Sequence, residues 1–264
     1  MGSEISIDVV QAVLALVCGS FVGFSLGLVG GGGSILAVPL MIYVVGVPTA
    51  HIAIGTSALA VALNAAVNLS SHARAGTVKW HCAGVFAAAG VIGAFGGSTL
   101  SKWVDGPKLL ALFALLMLVV AGVMLARRAQ EGDATIKLDR ANLPKLLASG
   151  CATGALSGFF GIGGGFLIVP GLMLATGMPI VCAIGSSLVA VTAFAGTAAL
   201  NYAASGLVDW RLAIVFLAGG VLGGLPGGQV AWMLGSRRGA LNVIFAGIIT
   251  AVALYMLGRV LLAS

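Results

Sequence analysis

The sequence predicts an all-α, polytopic integral membrane protein made of two homologous repeats. Three observations point there: the composition, apolar runs of membrane-crossing length, and a glycine motif that occurs twice. Sixty per cent of the residues are hydrophobic, 8% are charged, and the mean hydropathy is +1.15. A soluble domain carries about 25% charged residues, so this chain cannot cover a water-facing surface. Its apolar runs are roughly 20 residues long, the length that crosses a ~30 Å hydrocarbon core. The short alternating strands of a membrane barrel are absent.

The first apolar run covers about residues 9–29, where Gly19, Gly23 and Gly27 recur at every fourth position. That spacing gives a face on which another helix can approach closely. The run ends on Gly27-Leu28-Val29-Gly30-Gly31-Gly32-Gly33-Ser34. Glycine costs a helix roughly 1 kcal/mol relative to alanine, so a quartet in apolar sequence reads as a built helix break. A short piece follows at about 34–45 and is closed by Gly46-Val47-Pro48. The next run, about 51–71, carries Thr56, Ser57, Asn64 and Asn68. Gly76-Thr77-Val78-Lys79-Trp80 is an interfacial turn with a Trp anchor. Runs at about 81–101 and 108–126 complete residues 1–127, the first repeat. Residues 127–145 hold five basic and three acidic residues, and 128–145 is expected to be a polar cytoplasmic linker.

Residues 146–264, the second repeat, replay the first about 131 positions later. Runs at about 145–160, 166–176, 181–203, 210–232 and 240–262 keep the order. Gly158-Phe159-Phe160-Gly161-Ile162-Gly163-Gly164-Gly165 answers the first glycine run, and Pro170 answers Pro39. Gly185-Ser186-Ser187 answers Gly55-Thr56-Ser57, and Gly206-Leu207-Val208-Asp209-Trp210 answers the first interfacial turn. The total is about eight full spans and two short or half helices. If the short pieces cross, each half has five crossings and the repeats are inverted; if they re-enter, each has four and the repeats are parallel. Lys and Arg divide nine against four either way, so the positive-inside rule does not choose. The inverted form is favoured, because broken helices paired across a pseudo-twofold build central transport sites.

Where a helix restarts after a break, its first N–H groups lack partners and attract anions. Gly30, Gly32, Gly33 and Ser34 in one half, and Gly161, Gly163, Gly164 and Gly165 in the other, are the expected backbone donors. Thr56, Ser57 and Asn64, with Ser186, Ser187 and Thr192, are the expected pocket side chains. The competing reading is structural: glycines also mark tight packing, and membrane Ser and Thr often bond their own helix. No acidic residue lies in a predicted span, so the usual carboxylate relay for ion coupling is missing. His51 is a coupling candidate, set against an ordinary interfacial histidine. Lys102 and Arg259 stand at span ends, where snorkelling accounts for them. Cys18, Cys82, Cys151 and Cys182 lack metal-type spacing and read as small buried thiols. The charge of +6 sits in short loops rather than along a face, which argues against nucleic acid. With no Walker lysine, nucleophile set or metal cluster, no enzyme activity, cofactor, metal or ATPase subunit is expected. The expected partners are a small anion and the lipid bilayer; oligomeric state is not legible.

Together these motifs resemble the sulfite exporter TauE/SafE family of bacterial and archaeal membrane permeases, from Gly23 to about Arg259. The carriers are the two glycine runs ending in Pro39 and Pro170, the Gly55 and Gly185 steps, and the turns at Trp80 and Trp210. The resemblance implies a bacterial inner-membrane exporter of sulfite, sulfoacetate or a related organosulfonate. Two departures imply an asymmetric pocket: Ile162 interrupts the second glycine run, and Asn64 is answered by Phe194. An anion channel and a non-transport membrane scaffold are the alternatives.

Overall fold

The computed structural model describes residues 8–126, 143–233 and 238–263 of the 264-residue chain. It holds ten α-helices, with no strand among the described residues. In the first half, α1 (Val9–Val29) runs into a 3₁₀ segment (Gly30–Leu36), followed by α2 (Ala37–Tyr43), α3 (Ala50–Arg74), α4 (Trp80–Ser101) and α5 (Gly106–Ala126). The second half holds α6 (Leu143–Phe160), α7 (Gly165–Thr176), α8 (Ile180–Ala204), α9 (Trp210–Met233) and α10 (Arg238–Ala263). Most of the expected linker, residues 128–142, lies outside the described residues.

Helices α1, α3, α4 and α8 contain stretches long and apolar enough to cross a bilayer. Helices α5, α6, α9 and α10 run 21, 18, 24 and 26 residues. By contrast α2 and α7 have 7 and 12 residues. At 1.5 Å per residue, neither spans a ~30 Å core alone. Side chains that water would reject face outward: Ile92 and Leu200 are each 74% exposed, and Ile214 is 66% exposed. A hydrocarbon solvent accepts such a surface. Trp80, Trp103 and Trp210 are exposed at helix ends, where interfacial anchors sit. Of the cysteines, Cys18 and Cys82 are buried as expected, whereas Cys151 is exposed on α6. Lipid solvates a thiol there as readily as a core would.

The packing is crosswise between halves. Helix α1 lies along α9, α6 lies along α4, α3 lies against α8, and α5 against α10. Glycine makes the first two contacts possible. A Cβ placed on Gly23 would land on the Gly220 backbone, and one on Gly154 would land on that of Gly90. Likewise Gly19 meets the Phe216 carbonyl and Gly223 meets that of Ser20. Main chain therefore touches main chain, the arrangement small-residue spacing permits in membranes. Residue numbers rise together along both pairs (Gly19 with Phe216, Gly23 with Gly220; Gly93 with Cys151, Gly97 with Ala155), so each pair is parallel. Helices α3 and α8 run the other way. Gly55, near the start of α3, abuts Tyr202 and Leu207 at the end of α8, while Gly185, near the start of α8, abuts Thr77 just past α3.

These contacts make a sharp prediction. Gly154→Val overpacks the α4–α6 seam and lowers unfolding stability by about 1–3 kcal/mol or more. Gly96→Ala, inside α4 where an added Cβ meets nothing within 4 Å, leaves it unchanged or raises it by up to about 1 kcal/mol. Denaturant titration of both variants in detergent checks this, and equal loss in the two would refute the seam.

Candidate functional site

The two glycine runs fold differently. Through Gly30–Leu36 the chain tightens into a 3₁₀ helix instead of opening, so i→i+3 bonds take up amides that a true break would free. Gly30 and Gly32 lie in this turn, while Gly33 is buried with the backbone of Ser25 and Leu26 pressed against it. Ser34 is fully buried. Gly30, Gly32, Gly33 and Ser34, expected to be donors at a helix break, thus lie in a continuous 3₁₀ segment, and the asymmetry expected from Ile162 is a difference in backbone geometry. The second run does break. Gly161, Gly163 and Gly164 take φ of +64°, +67° and +63°, left-handed values that residues with a Cβ avoid. Gly164 then caps α7, which begins at Gly165 with no side-chain cap.

This loop sits deep in the protein. Gly161 through Gly165 are all buried. Gly161 abuts Ile54 on α3, and Gly163 lies against Val61 on α3 and Val191 and Ala195 on α8. Irregular backbone at membrane depth requires such enclosure. Helix α7, which starts at the end of this run, also packs on the first half's 3₁₀ segment.

The hydroxyl steps serve a different end from the one the sequence implies. The Thr56 hydroxyl accepts the backbone N–H of Asp209 at 3.0 Å, and the Ser186 hydroxyl accepts that of Lys79 at 2.9 Å. Each clasps the interfacial turn of the opposite half. Ser57, Ser187 and Thr192 donate to carbonyls of their own helix, those of Ile54, Ile184 and Leu188. That is the bonding their structural reading expects. Asn64 differs: it is 1% exposed and both its amide atoms lack partners. It rests on Gly220 of α9, just as its counterpart Phe194 rests on Gly90 of α4.

Sequence reasoning missed Ser157. It is fully buried on α6, its hydroxyl has no partner, and it sits beside Gly164. A visible signal exists: Ser157 is a polar residue one position before Gly158, where the first repeat has Leu26 before Gly27.

Lys102 is no simple snorkelling residue. Its Nζ donates to the Asn201 carbonyl at 2.8 Å, to Asn201 Oδ1 at 2.7 Å and to Ser205 Oγ at 2.7 Å. Asn201 Nδ2 donates back to Ser98 Oγ at 2.7 Å, and Tyr202 donates to Ser101 Oγ at 2.8 Å. The ends of α4 and α8 are thereby latched together. His51 joins the same end, its Nε2–H donating to the Ser101 carbonyl at 3.2 Å.

A lipid-facing helical bundle that encloses an interrupted helix is the build of a membrane transporter. The chain belongs to the sulfite exporter TauE/SafE family, whose model matches residues 15–256. It is 48% identical over 252 residues to a probable membrane transporter protein of Xylella fastidiosa strain Temecula1, covering 94% of this chain and 95% of that one. A counterpart in strain 9a5c is 50% identical over 248 residues, with the same coverage. The probable membrane transporter protein YdhB of Bacillus subtilis is 27% identical over 213 residues, or 78% of this chain and 85% of that one. No solved structure matches at the same stringency.

The clasps predict a stability effect. Thr56→Val and Ser186→Ala each leave a main-chain N–H without its acceptor, at about 1–3 kcal/mol. Both variants unfold at lower denaturant concentration. Unchanged stability together with lost anion affinity would instead return these hydroxyls to the pocket.

Proposed function

We propose that the protein is a secondary transporter that exports a small sulfur-containing anion, such as sulfite, sulfoacetate or another organosulfonate. The reading places it in the bacterial inner membrane with the polar linker in the cytoplasm. The observation that carries it is the buried loop Gly161–Gly164, with three left-handed glycines, leading into the start of α7, which has no side-chain cap. Amides there carry partial positive charge, and a bilayer interior magnifies it. The sign of φ alternates over Gly161, Ile162 and Gly163, and such alternation turns successive N–H groups toward one side. An anion is thus held without a lysine or arginine in the hydrocarbon, where a charge costs several kcal/mol.

Alternating access in this reading uses two inverted repeats with five crossings each. The antiparallel course of α3 and α8, which correspond between the halves, supports inversion; four crossings per half would set them parallel. The exchange of partners between α1–α9 and α4–α6 supports the same pseudo-twofold. Substrate contact in the first half falls to Gly33, Ser34 and Asn64, and in the second to Gly163, Gly164 and Gly165. Outward flow needs no coupled ion. A potential negative inside drives a monovalent anion out with about 2.3 kcal/mol per 100 mV, roughly a fifty-fold gradient.

The test is efflux from proteoliposomes loaded with labelled sulfite, sulfoacetate, thiosulfate or sulfate. Saturable efflux of at least one sulfur oxyanion is expected, faster when the interior is negative. Gly164→Ala is expected to cut it about tenfold or more, because alanine resists the left-handed φ and its Cβ meets Ser157 at 2.7 Å. Flux that never saturates would identify a channel. No anion flux at all, with protein folded in the membrane, would refute the proposal.

A further inference from the structure

Hydroxyls in these helices have a default partner, the carbonyl three or four residues back. Thr153, one turn before Ser157 on α6, takes it by donating to Ser149 at 2.7 Å. Ser157 does not, although it is fully buried. A buried hydroxyl with no partner carries a desolvation cost, and native proteins rarely leave one so unless something else arrives to meet it. Its surroundings show where that would happen. The point at which a Cβ on Gly164 would stand is 2.7 Å from Ser157 Cβ and 3.0 Å from Oγ. The hydroxyl therefore flanks the residue that caps α7 in left-handed geometry without any side-chain bond.

A second orphan lies on α3. Val61 abuts Gly163, and Asn64, three residues on, shares its helix face. Asn64 is 1% exposed with neither amide atom bonded. Among the described residues, the buried side-chain polar atoms lacking partners belong to Asn64 and Ser157 alone. Ser157 sits against Gly164 itself, and Asn64 belongs to α3, which touches the loop through Ile54 and Val61, with its own amide on Gly220 of α9. Their repeat counterparts, Phe194 and Leu26, are apolar.

We infer that Ser157 is a substrate-contacting residue whose hydroxyl donates to one oxygen of an oxyanion held at the start of α7. Backbone amides approach that anion along the helix axis and Ser157 approaches from α6. Donors from two directions suit a head group with several oxygens, such as sulfite or a sulfonate, better than a spherical halide. The inference relies on the transport reading only for the class of ligand. Charge recognition is one-sided: the second glycine loop binds and the first half's 3₁₀ turn gives shape.

Binding in detergent, read by thermal shift with sulfite, methanesulfonate and chloride, tests it apart from transport. In wild type, sulfite and methanesulfonate raise the unfolding midpoint and chloride does not. Ser157→Ala is expected to raise the unliganded midpoint, since a buried unpaired hydroxyl is removed, yet to weaken sulfite binding about tenfold or more. Ser157→Cys, which keeps the size with a poorer donor, falls between. A purely structural serine would lower the midpoint on substitution and leave affinity alone, and either result overturns the inference. So does a wild type that binds neither oxyanion. Serine-dependent binding with no flux in vesicles would sink the transport reading and leave this one standing. Saturable flux that Ser157→Ala leaves untouched would do the reverse.

Discussion

Main chain in contact with main chain is the constraint on which this structure rests. In lipid, apolar side chains gain nothing by associating with one another, so helices adhere through close packing and shared polar contacts. The seams α1–α9 and α4–α6 achieve this by omitting side chains where the axes meet, at Gly23 against Gly220 and Gly154 against Gly90. Each seam joins a helix of one half to a helix of the other. That exchange frames α3 and α8 in the middle, and their antiparallel contact supplies the walls around the second glycine loop. The loop could not persist at membrane depth without them, because its irregular amides would face hydrocarbon.

Within that frame the two halves differ at the glycine runs. The first glycine run remains helical as a 3₁₀ turn, while the second opens through three left-handed residues. At positions that the sequence pattern aligns, Asn64 answers Phe194 and Ser157 answers Leu26.

Much of the architecture was legible in the chain. Every-fourth glycines marked the seams, and the glycine runs located the interruption. The Gly55 and Gly185 steps are legible as paired devices, but the contacts they make are not. Thr56 and Ser186 look like pocket hydroxyls because hydroxyls beside a break suit an anion. Their actual partners, the amides of Asp209 and Lys79, are 153 and 107 residues away, and no local pattern encodes such a pairing. The bonds of Lys102 are hidden for the same reason, since Asn201 and Ser205 lie in the other half. The difference between the two glycine runs was visible as Ile162, but its consequence for φ was not. Four adjacent glycines tolerate a continuous turn, whereas a spaced set in this packing adopts the left-handed bend.

The partnership of α1 with α9 also bears on how the molecule is made. The bare face of α1 at Ser20 finds its mate at Gly223, about two hundred residues later in synthesis. Until α9 is inserted, that face must be solvated by acyl chains or held by an insertase, and α3 has no α8 to close against. The N-terminal half therefore enters the bilayer as an unfinished surface, and maturation ends only when the last helices arrive to complete it.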